Sequence, residues 1–125
     1  MPDRIRVLIV EDEFIIALQM KARLVELGYT VCTFAAAGDA AIRIARSERP
    51  DVVLMDVSLA DRTSGITTAR EISAFLNPAI IFISANSNDD LQPQIAALHP
   101  LAYFVKPVTP ETVHETIRKW RREQA

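Results

Sequence analysis

Five short apolar runs, each followed by a stretch of helical pattern, constrain the fold of this chain more than any other feature of its sequence. The runs are IRVLIV at 5–10, YTVCTF at 29–34, DVVLMD at 51–56, AIIFISA at 79–85 and LAYFVK at 101–106. Short runs rich in Val and Ile are typical of strands. Strands that are apolar almost throughout belong to parallel sheets covered on both faces. The sequence therefore predicts five parallel strands in one sheet.

Helical patterns separate and follow the predicted strands, at 13–28, 38–50, 66–76, 88–99 and 109–123. Gly28 and Pro50 are stop signals for the first two helices, and the Asn77-Pro78 pair terminates the third. Thr109 suits the N-cap of the last helix, with Pro110 in its first turn. Right-handed crossovers between the strands then predict an α/β fold, a doubly wound (βα)5 sandwich.

Composition narrows the class of protein. The chain has 125 residues, 50% of them hydrophobic and 24% charged, and a formal net charge of -2. We therefore expect one globular domain over residues 1–125, with no bias toward nucleic acid or an anionic membrane. The N-terminal MPDRIR lacks the apolar core of a secretory signal, so we expect a cytoplasmic location. The single cysteine, Cys32, lies in an apolar strand pattern and is interpreted as a small buried side chain.

Charged and hydroxyl side chains collect where the predicted strands end. They are Glu11, Asp12 and Glu13 after the first strand, Asp56 at the end of the third, Ser84 in the fourth and Lys106 at the end of the fifth. Sites in doubly wound sheets lie at the carboxyl ends of the strands. Clustered carboxylates suit a hard cation such as Mg²⁺, and Lys106 could pair with phosphoryl oxygens. Asp56 would be ionised at neutral pH and available as a nucleophile.

Four stretches resemble the response-regulator receiver domains of two-component signalling, the CheY-like family: VLIVEDE, PDVVLMDVSL, IIFISA and YFVKPVTPETV. The resemblance covers the chain from Arg6 to about Trp120. It implies a flavodoxin-like sheet with strand order 2-1-3-4-5. It also implies a phosphorelay function, in which a histidine kinase or phosphotransfer protein donates a phosphoryl group. Such a domain is not an enzyme in the usual sense, because it catalyses only its own phosphoryl transfer and autodephosphorylation.

The resemblance also implies roles for the site residues. Asp56 is the expected phosphoacceptor, and Lys106 is expected to bond the phosphoryl group. Mg²⁺ is expected on Glu11, Asp12, Asp56 and the backbone carbonyl of Ser58.

A second group of implied roles concerns switching and positioning. Ser84 is the expected switch hydroxyl, and Tyr103 takes the place of the switch aromatic. Their movement would change the surface of the fourth helix, fifth strand and fifth helix, which an unknown partner reads. Pro107, after a cis peptide bond, would place Lys106.

One loop departs from the common family pattern. Many members have Pro four residues after the phosphoacceptor and Gly eight residues after it, whereas this chain has Ala60 and Gly65. The 57–65 loop is therefore one residue longer, which leaves its conformation and the access of partners to Asp56 open. Elsewhere, His99 is interpreted as a turn residue and His114 as a solvated residue of the last helix.

The first predicted helix carries two apolar faces. Its expected core stripe is Ile16, Met20, Leu24 and Leu27, and an adjacent face carries Phe14, Ile15, Leu18 and Ala22. The adjacent face either widens the core or forms a docking surface for the helical bundle of a kinase.

Three alternatives compete with a phosphoacceptor. A Mg²⁺-dependent phosphatase of the haloacid-dehalogenase type would need an acid two residues after the nucleophile, where this chain has Ser58. A flavodoxin would need a phosphate-binding loop after the first strand, where Glu11, Asp12 and Glu13 would repel the FMN phosphate. A degenerate receiver that only binds protein is disfavoured by the complete set of acids and lysine.

Overall fold

Strands and helices alternate along the chain as predicted. The computed structural model describes residues 4–59, 64–85 and 91–124. The elements are β1 (Arg6–Val10), α1 (Phe14–Glu26), β2 (Thr30–Val31), α2 (Gly38–Glu48), β3 (Val52–Asp56), α3 (Gly65–Ser73), β4 (Ala79–Ser84), α4 (Gln92–Ala96), β5 (Ala102–Val105) and α5 (Pro110–Gln124).

All neighbouring strands pair in parallel, in the order β2-β1-β3-β4-β5. The predicted doubly wound, flavodoxin-like sheet is confirmed. The chain starts at β1, moves outward to β2 and returns across β1 to β3. The carboxyl ends of β1 and β3 therefore form the switch point of the sheet, the usual place for a site in this architecture.

The two faces of the sheet bury separate apolar cores. One face packs against α2, α3 and α4, and its buried strand residues include Leu8, Val10, Val53, Met55 and Phe82. The other face packs against α1 and α5, and its buried strand residues include Val7, Ile9, Val52, Leu54 and Ile81. Because both faces are covered, the strands are apolar almost throughout, which is the pattern seen in the sequence.

Some element bounds differ from the prediction. β2 covers only two of the residues expected over 29–34, although its path continues beside β1, where Cys32 N donates to Val7 O at 2.8 Å. α4 begins at Gln92 and ends at Ala96, and the first residues of the predicted 88–99 helix lie outside the described residues. His99 has a φ of 49° and lies in a turn, as expected.

The cap of α5 agrees with the prediction. Thr112 N donates to Thr109 Oγ1 at 3.1 Å, and Pro110 is the first residue of the helix.

Cys32 is 2% exposed, as expected, and burial raises the pKa of its thiol to about 11. Among the described residues, no helix is both long and apolar enough to cross a bilayer.

Two predictions about helix faces were wrong. Ile16, expected in the core stripe of α1, is 38% exposed, and Ala17 is fully buried in its place. His114 is partly buried, since its Nδ1 lies 2.7 Å from the Tyr29 hydroxyl, and the two rings pack edge to face. The pair joins α5 to the segment between α1 and β2.

Candidate functional site

Two buried carboxylates and one ammonium meet at the carboxyl edge of the sheet. Glu11 follows β1 and is 6% exposed, and Asp56 ends β3 and is 4% exposed. Lys106, directly after β5, reaches both, with Nζ 3.1 Å from Glu11 Oε1 and 3.0 Å from Asp56 Oδ2. Three strands thus bring together charges that are up to 95 residues apart in sequence. The ammonium offsets part of the repulsion between the two acids.

Asp12 completes an acidic cluster. Glu11, Asp12 and Asp56 each offer a carboxylate oxygen, and these oxygens lie within 4.8 Å of one another. Burial and, to a smaller extent, the negative charge of Asp56 raise the pKa of Glu11 to about 7, while the Glu13 N–H and Lys106 oppose the shift. A divalent cation would remove the repulsion that these acids experience. A set of carboxylate oxygens beside open space for water fits Mg²⁺.

Both oxygens of Asp56 have donors. The backbone N–H of Ser58 donates to Oδ1 at 2.9 Å, and Lys106 donates to Oδ2 at 3.0 Å. A carboxylate held at both oxygens has its orientation fixed before any reaction. The Ser58 N–H therefore positions Asp56, a contact that the sequence did not suggest, since only the Ser58 carbonyl was expected at the site.

Gly65, at the end of the longer loop, contacts the backbone at the end of β3. A Cβ at this position would overlap the backbone carbonyl of Asp56, and Gly65 N donates to Val57 O at 2.8 Å. The start of α3 therefore lies directly against the end of β3, where only glycine fits. Although Gly65 follows Asp56 by nine residues instead of the common eight, glycine still occupies this contact. Ala60 lies outside the described residues.

Lys106 is positioned by its backbone. The Lys106–Pro107 peptide bond is cis, as the resemblance implied, and Lys106 N donates to Ser84 O at 2.8 Å. Burial lowers the pKa of Lys106, but the hydrogen bonds to Asp56 and Glu11 outweigh it, so the pKa is raised above its ordinary value. The side chain is therefore a stable positive charge at the site.

Ser84 and Tyr103 lie on neighbouring strands. Ser84 ends β4, is 7% exposed and pairs with Val105, while Tyr103 pairs with Phe82. Because side chains alternate along a strand, Ser84, Phe82 and Tyr103 point to the same face of the sheet. Tyr103 is partly buried and packs against the core beneath α2, α3 and α4.

The second apolar face of α1 is exposed, so of the two interpretations left open by the sequence, the wider core is excluded. Phe14 is 57% exposed, Ile15 63% and Leu18 45%, and Ala22 is also exposed. α1 starts three residues after Glu11, so this face begins close in sequence to the acidic cluster. We call Phe14, Ile15 and Leu18 the α1 apolar face.

The comparisons with known proteins agree with the fold and show the family. The family model of the response regulator receiver domain matches residues 7–118. The signal receiver domain of a modulated diguanylate cyclase from Desulfovibrio desulfuricans superposes with a TM-score of 0.85 at 34% identity, covering 94% of this chain and 93% of that one. A CheY-like receiver domain protein from Methanospirillum hungatei gives a TM-score of 0.90 at 24% identity, over 98% and 97% of the two chains, which shows the shared fold. The chain belongs to the response regulator receiver domain family.

Curated relatives are longer regulators. The transcriptional regulatory protein PdtaR of Mycobacterium tuberculosis is 37% identical over 102 residues, which are 82% of this chain and 49% of that protein. The phyllosphere-induced regulator PhyR of Methylorubrum extorquens is 32% identical over 112 residues, 89% of this chain and 41% of that protein. The chain thus spans about half the length of the curated relatives it matches.

Proposed function

We propose that this receiver domain accepts a phosphoryl group on Asp56. The observation that carries the proposal is the environment of that carboxylate. It is buried, held at both oxygens by Ser58 N–H and Lys106 Nζ, and lies in a cluster with Glu11 and Asp12. Phosphoryl transfer needs a nucleophile of fixed orientation, a nearby cation and oxygen ligands for a metal, and this environment of Asp56 supports the proposal that it supplies them.

In this proposal a carboxylate oxygen of Asp56 forms a bond to phosphorus while the bond to the histidine nitrogen of the donor breaks. Glu11, Asp12, Asp56 and the Ser58 carbonyl would hold Mg²⁺, which would supply positive charge for the phosphoryl oxygens. Lys106 leaves its contact with Asp56 Oδ2 and pairs with a phosphoryl oxygen at the same place. Catalysis comes from positioning and electrostatics, with Ser58 N–H holding the aspartyl side chain in register.

The switch is proposed to run through Ser84. A phosphoryl oxygen near the end of β4 would accept a hydrogen bond from the Ser84 hydroxyl. Tyr103 lies on the same face of the sheet and would follow, changing the surface of α4, β5 and α5. Ser84 lacks the extra methyl of threonine, so its movement costs little steric energy. We therefore expect both states to be populated before phosphorylation.

The donor is proposed to be a sensor histidine kinase or a histidine phosphotransfer protein in the cytoplasm. The α1 apolar face begins close in sequence to the acidic cluster and would pack against a helical bundle of that donor. Residues 1–125 are proposed to act as a single receiver domain, without contacts of their own to nucleic acid or membrane. The output partner is a protein or domain that reads the α4, β5 and α5 surface.

Particular residues argue against each of the three competing functions. Ser58 stands where a phosphatase of the haloacid-dehalogenase type has its general acid. The acids after β1 would repel the phosphate of FMN in a flavodoxin. A degenerate receiver would lack part of the acid and lysine set, whereas here Lys106 pairs with both Glu11 and Asp56.

The experiment is incubation with acetyl phosphate and Mg²⁺, followed by intact mass. Wild-type protein should gain one acid-labile phosphoryl group, and Asp56→Asn should gain none. The fold should persist, because the amide oxygen still accepts from Ser58 N–H, and Lys106 keeps its ion pair with Glu11 after losing the contact with Asp56 Oδ2. Removal of one acidic charge from the cluster offsets that lost contact, so the melting temperature should stay equal or rise. Asp51→Asn is the matched control, since Asp51 is exposed and its Oδ2 accepts from Arg6 N at 2.8 Å. Phosphorylation of the Asp56→Asn protein would overturn the proposal, and continuous phosphate release by wild type would favour the phosphatase.

A further inference from the structure

A cavity of about 250 Å³ lies behind the acidic cluster, between α1 and the sheet. Its floor is formed by Ile9, Leu54 and Ile83, and Ala17 and Met20 of α1 form one wall. The lining is therefore mainly apolar. We call this space the α1 cleft.

The polar end of the α1 cleft is the candidate phosphorylation site itself. Glu11, Asp56 and Lys106 line the cleft as well as facing one another. Two carboxylates and one ammonium carry a net charge of about −1 when all are ionised. Phosphoryl transfer to Asp56 uses this polar end and leaves the apolar part without a role.

We propose that the α1 cleft binds a small organic monocation with a single-ring apolar body, such as an arylalkyl ammonium. The ring lies between α1 and the sheet, and the cationic head lies against the carboxylates of Glu11 and Asp56. This binding goes beyond the phosphoacceptor function and does not depend on it.

Size and charge select this class of ligand. A cavity of roughly 150 Å³ accommodates a benzene molecule, so the α1 cleft has room for one ring with a short linker. An anionic head would face two buried carboxylates, and the ammonium of Lys106 is already paired with both of them. A cationic head instead completes the neutralisation of the pair and gains charge-assisted hydrogen bonds.

A ligand bound in the α1 cleft would compete with Mg²⁺. The cationic head and Mg²⁺ would use the same oxygens of Glu11 and Asp56, so the two should exclude each other. An organic cation in the α1 cleft would therefore hold the domain in a metal-free state.

The test is a titration of ¹⁵N-labelled wild-type protein, freed of metal with a chelator at about pH 8, with 2-phenylethylammonium as the probe. We expect saturable shifts of amides around the α1 cleft. 2-Phenylethanol, which lacks the charge, and methylammonium, which lacks the ring, should each bind roughly tenfold more weakly or worse. Added Mg²⁺ should weaken the apparent affinity for the probe. Equal binding of 2-phenylethanol, shifts elsewhere in the molecule, or indifference to Mg²⁺ would each overturn the proposal.

Paired variants locate the ligand. Ile16 lines the α1 cleft and is 38% exposed, whereas its neighbour Ile15 is 63% exposed and lies outside the lining. Both positions are exposed enough to accept lysine without loss of the fold. Ile16→Lys should weaken binding of the probe by about tenfold through repulsion at the cleft, and Ile15→Lys should change it by about twofold or less. Equal effects of the two substitutions would contradict the placement. Since no phosphodonor is present, failure here would leave the assignment of Asp56 standing.

Discussion

The two halves of the sheet's carboxyl edge are packed very differently. In the β1–β3 half, made of β1, β3 and the acids that follow β1, residues 7–11 and 52–57 are all buried. In the β4–β5 half, made of β4, α4 and β5, the strand β4 is mostly buried, but every residue of β5 is at least partly exposed and Val105 is 42% exposed. α4 has only five residues. Dense packing fixes side chains, whereas sparse packing allows an element to adopt a second arrangement.

This difference matches two separate tasks. Phosphoryl transfer depends on a nucleophile and metal ligands that do not move, and the residues proposed for these roles lie in the β1–β3 half. Signalling depends on an element with two accessible arrangements, and the more exposed α4 and β5 are the candidates in the β4–β5 half. Lys106 joins the halves, because it follows β5 and binds Glu11 and Asp56. A phosphoryl group that draws Lys106 away from these acids would act on both halves at once.

The largest effect on stability is expected for Gly65→Ala, at the start of α3 where it contacts the end of β3 in the β1–β3 half. The added methyl would overlap the backbone carbonyl of Asp56, so either α3 or the end of β3 must shift. We expect a loss of about 3 kcal/mol in the free energy of unfolding, measured by urea denaturation. Gly28→Ala is the control, because Gly28 has a φ of 103° but no described heavy atom lies within 4 Å of the place that the new methyl would occupy. Its cost should be about 1 kcal/mol. Equal costs would mean that the β1–β3 half has room to relax.

The next effect concerns Mg²⁺. Metal should raise the melting temperature of wild type, because it binds the folded state only. Asp12→Ala should abolish this rise by removing one ligand from the Glu11, Asp12 and Asp56 cluster. Asp39→Ala is the control, since Asp39 is an exposed acid at the start of α2. A metal response retained in Asp12→Ala and lost in Asp39→Ala would place the cation outside the β1–β3 half.

A smaller effect distinguishes docking of the kinase from phosphoryl transfer itself. Leu18→Glu, on the α1 apolar face, should change the free energy of unfolding by about 0.5 kcal/mol or less, because Leu18 is 45% exposed. Phosphorylation by acetyl phosphate should be unchanged, while transfer from the cognate kinase should slow by about tenfold. Val25→Glu is the matched control, since Val25 is 47% exposed near the other end of α1. Equal slowing by both variants would remove the α1 apolar face from the docking surface, and unfolding of Leu18→Glu would place Leu18 in the core.

Much of this architecture could be predicted from the sequence because its strands are buried on both faces. Apolar runs that end abruptly in Asp56 or Lys106 indicate both where a strand stops and which charges share an edge. The strand order and the cis bond before Pro107 came from the family resemblance, since local pattern does not choose between neighbours in a sheet.

Other features depend on tertiary packing. Helical periodicity shows that α1 has an apolar side but not how the helix rotates against the sheet, which is why Ile16 was assigned to the core instead of Ala17. His114 was expected in solvent because its partner, Tyr29, is 85 residues away in sequence. The α1 cleft is space left between α1 and the sheet, and no local pattern reports such space.

The coupling between the two halves is central: a phosphoryl group bound in the β1–β3 half is proposed to rearrange the β4–β5 half through the Ser84 hydroxyl. The most direct measurement is amide hydrogen exchange of wild type and Ser84→Ala, each with Mg²⁺ and with or without beryllofluoride as the phosphoryl mimic. In wild type, exchange should change over residues 91–103 and, apart from protection near Asp56, stay the same within β1 and over residues 52–54 of β3. Ser84→Ala should still bind beryllofluoride, as shown by protection near Asp56, yet lose the change over 91–103. If Ser84→Ala changed that region as fully as wild type, the hydroxyl would not be the relay, and the proposed coupling would be contradicted.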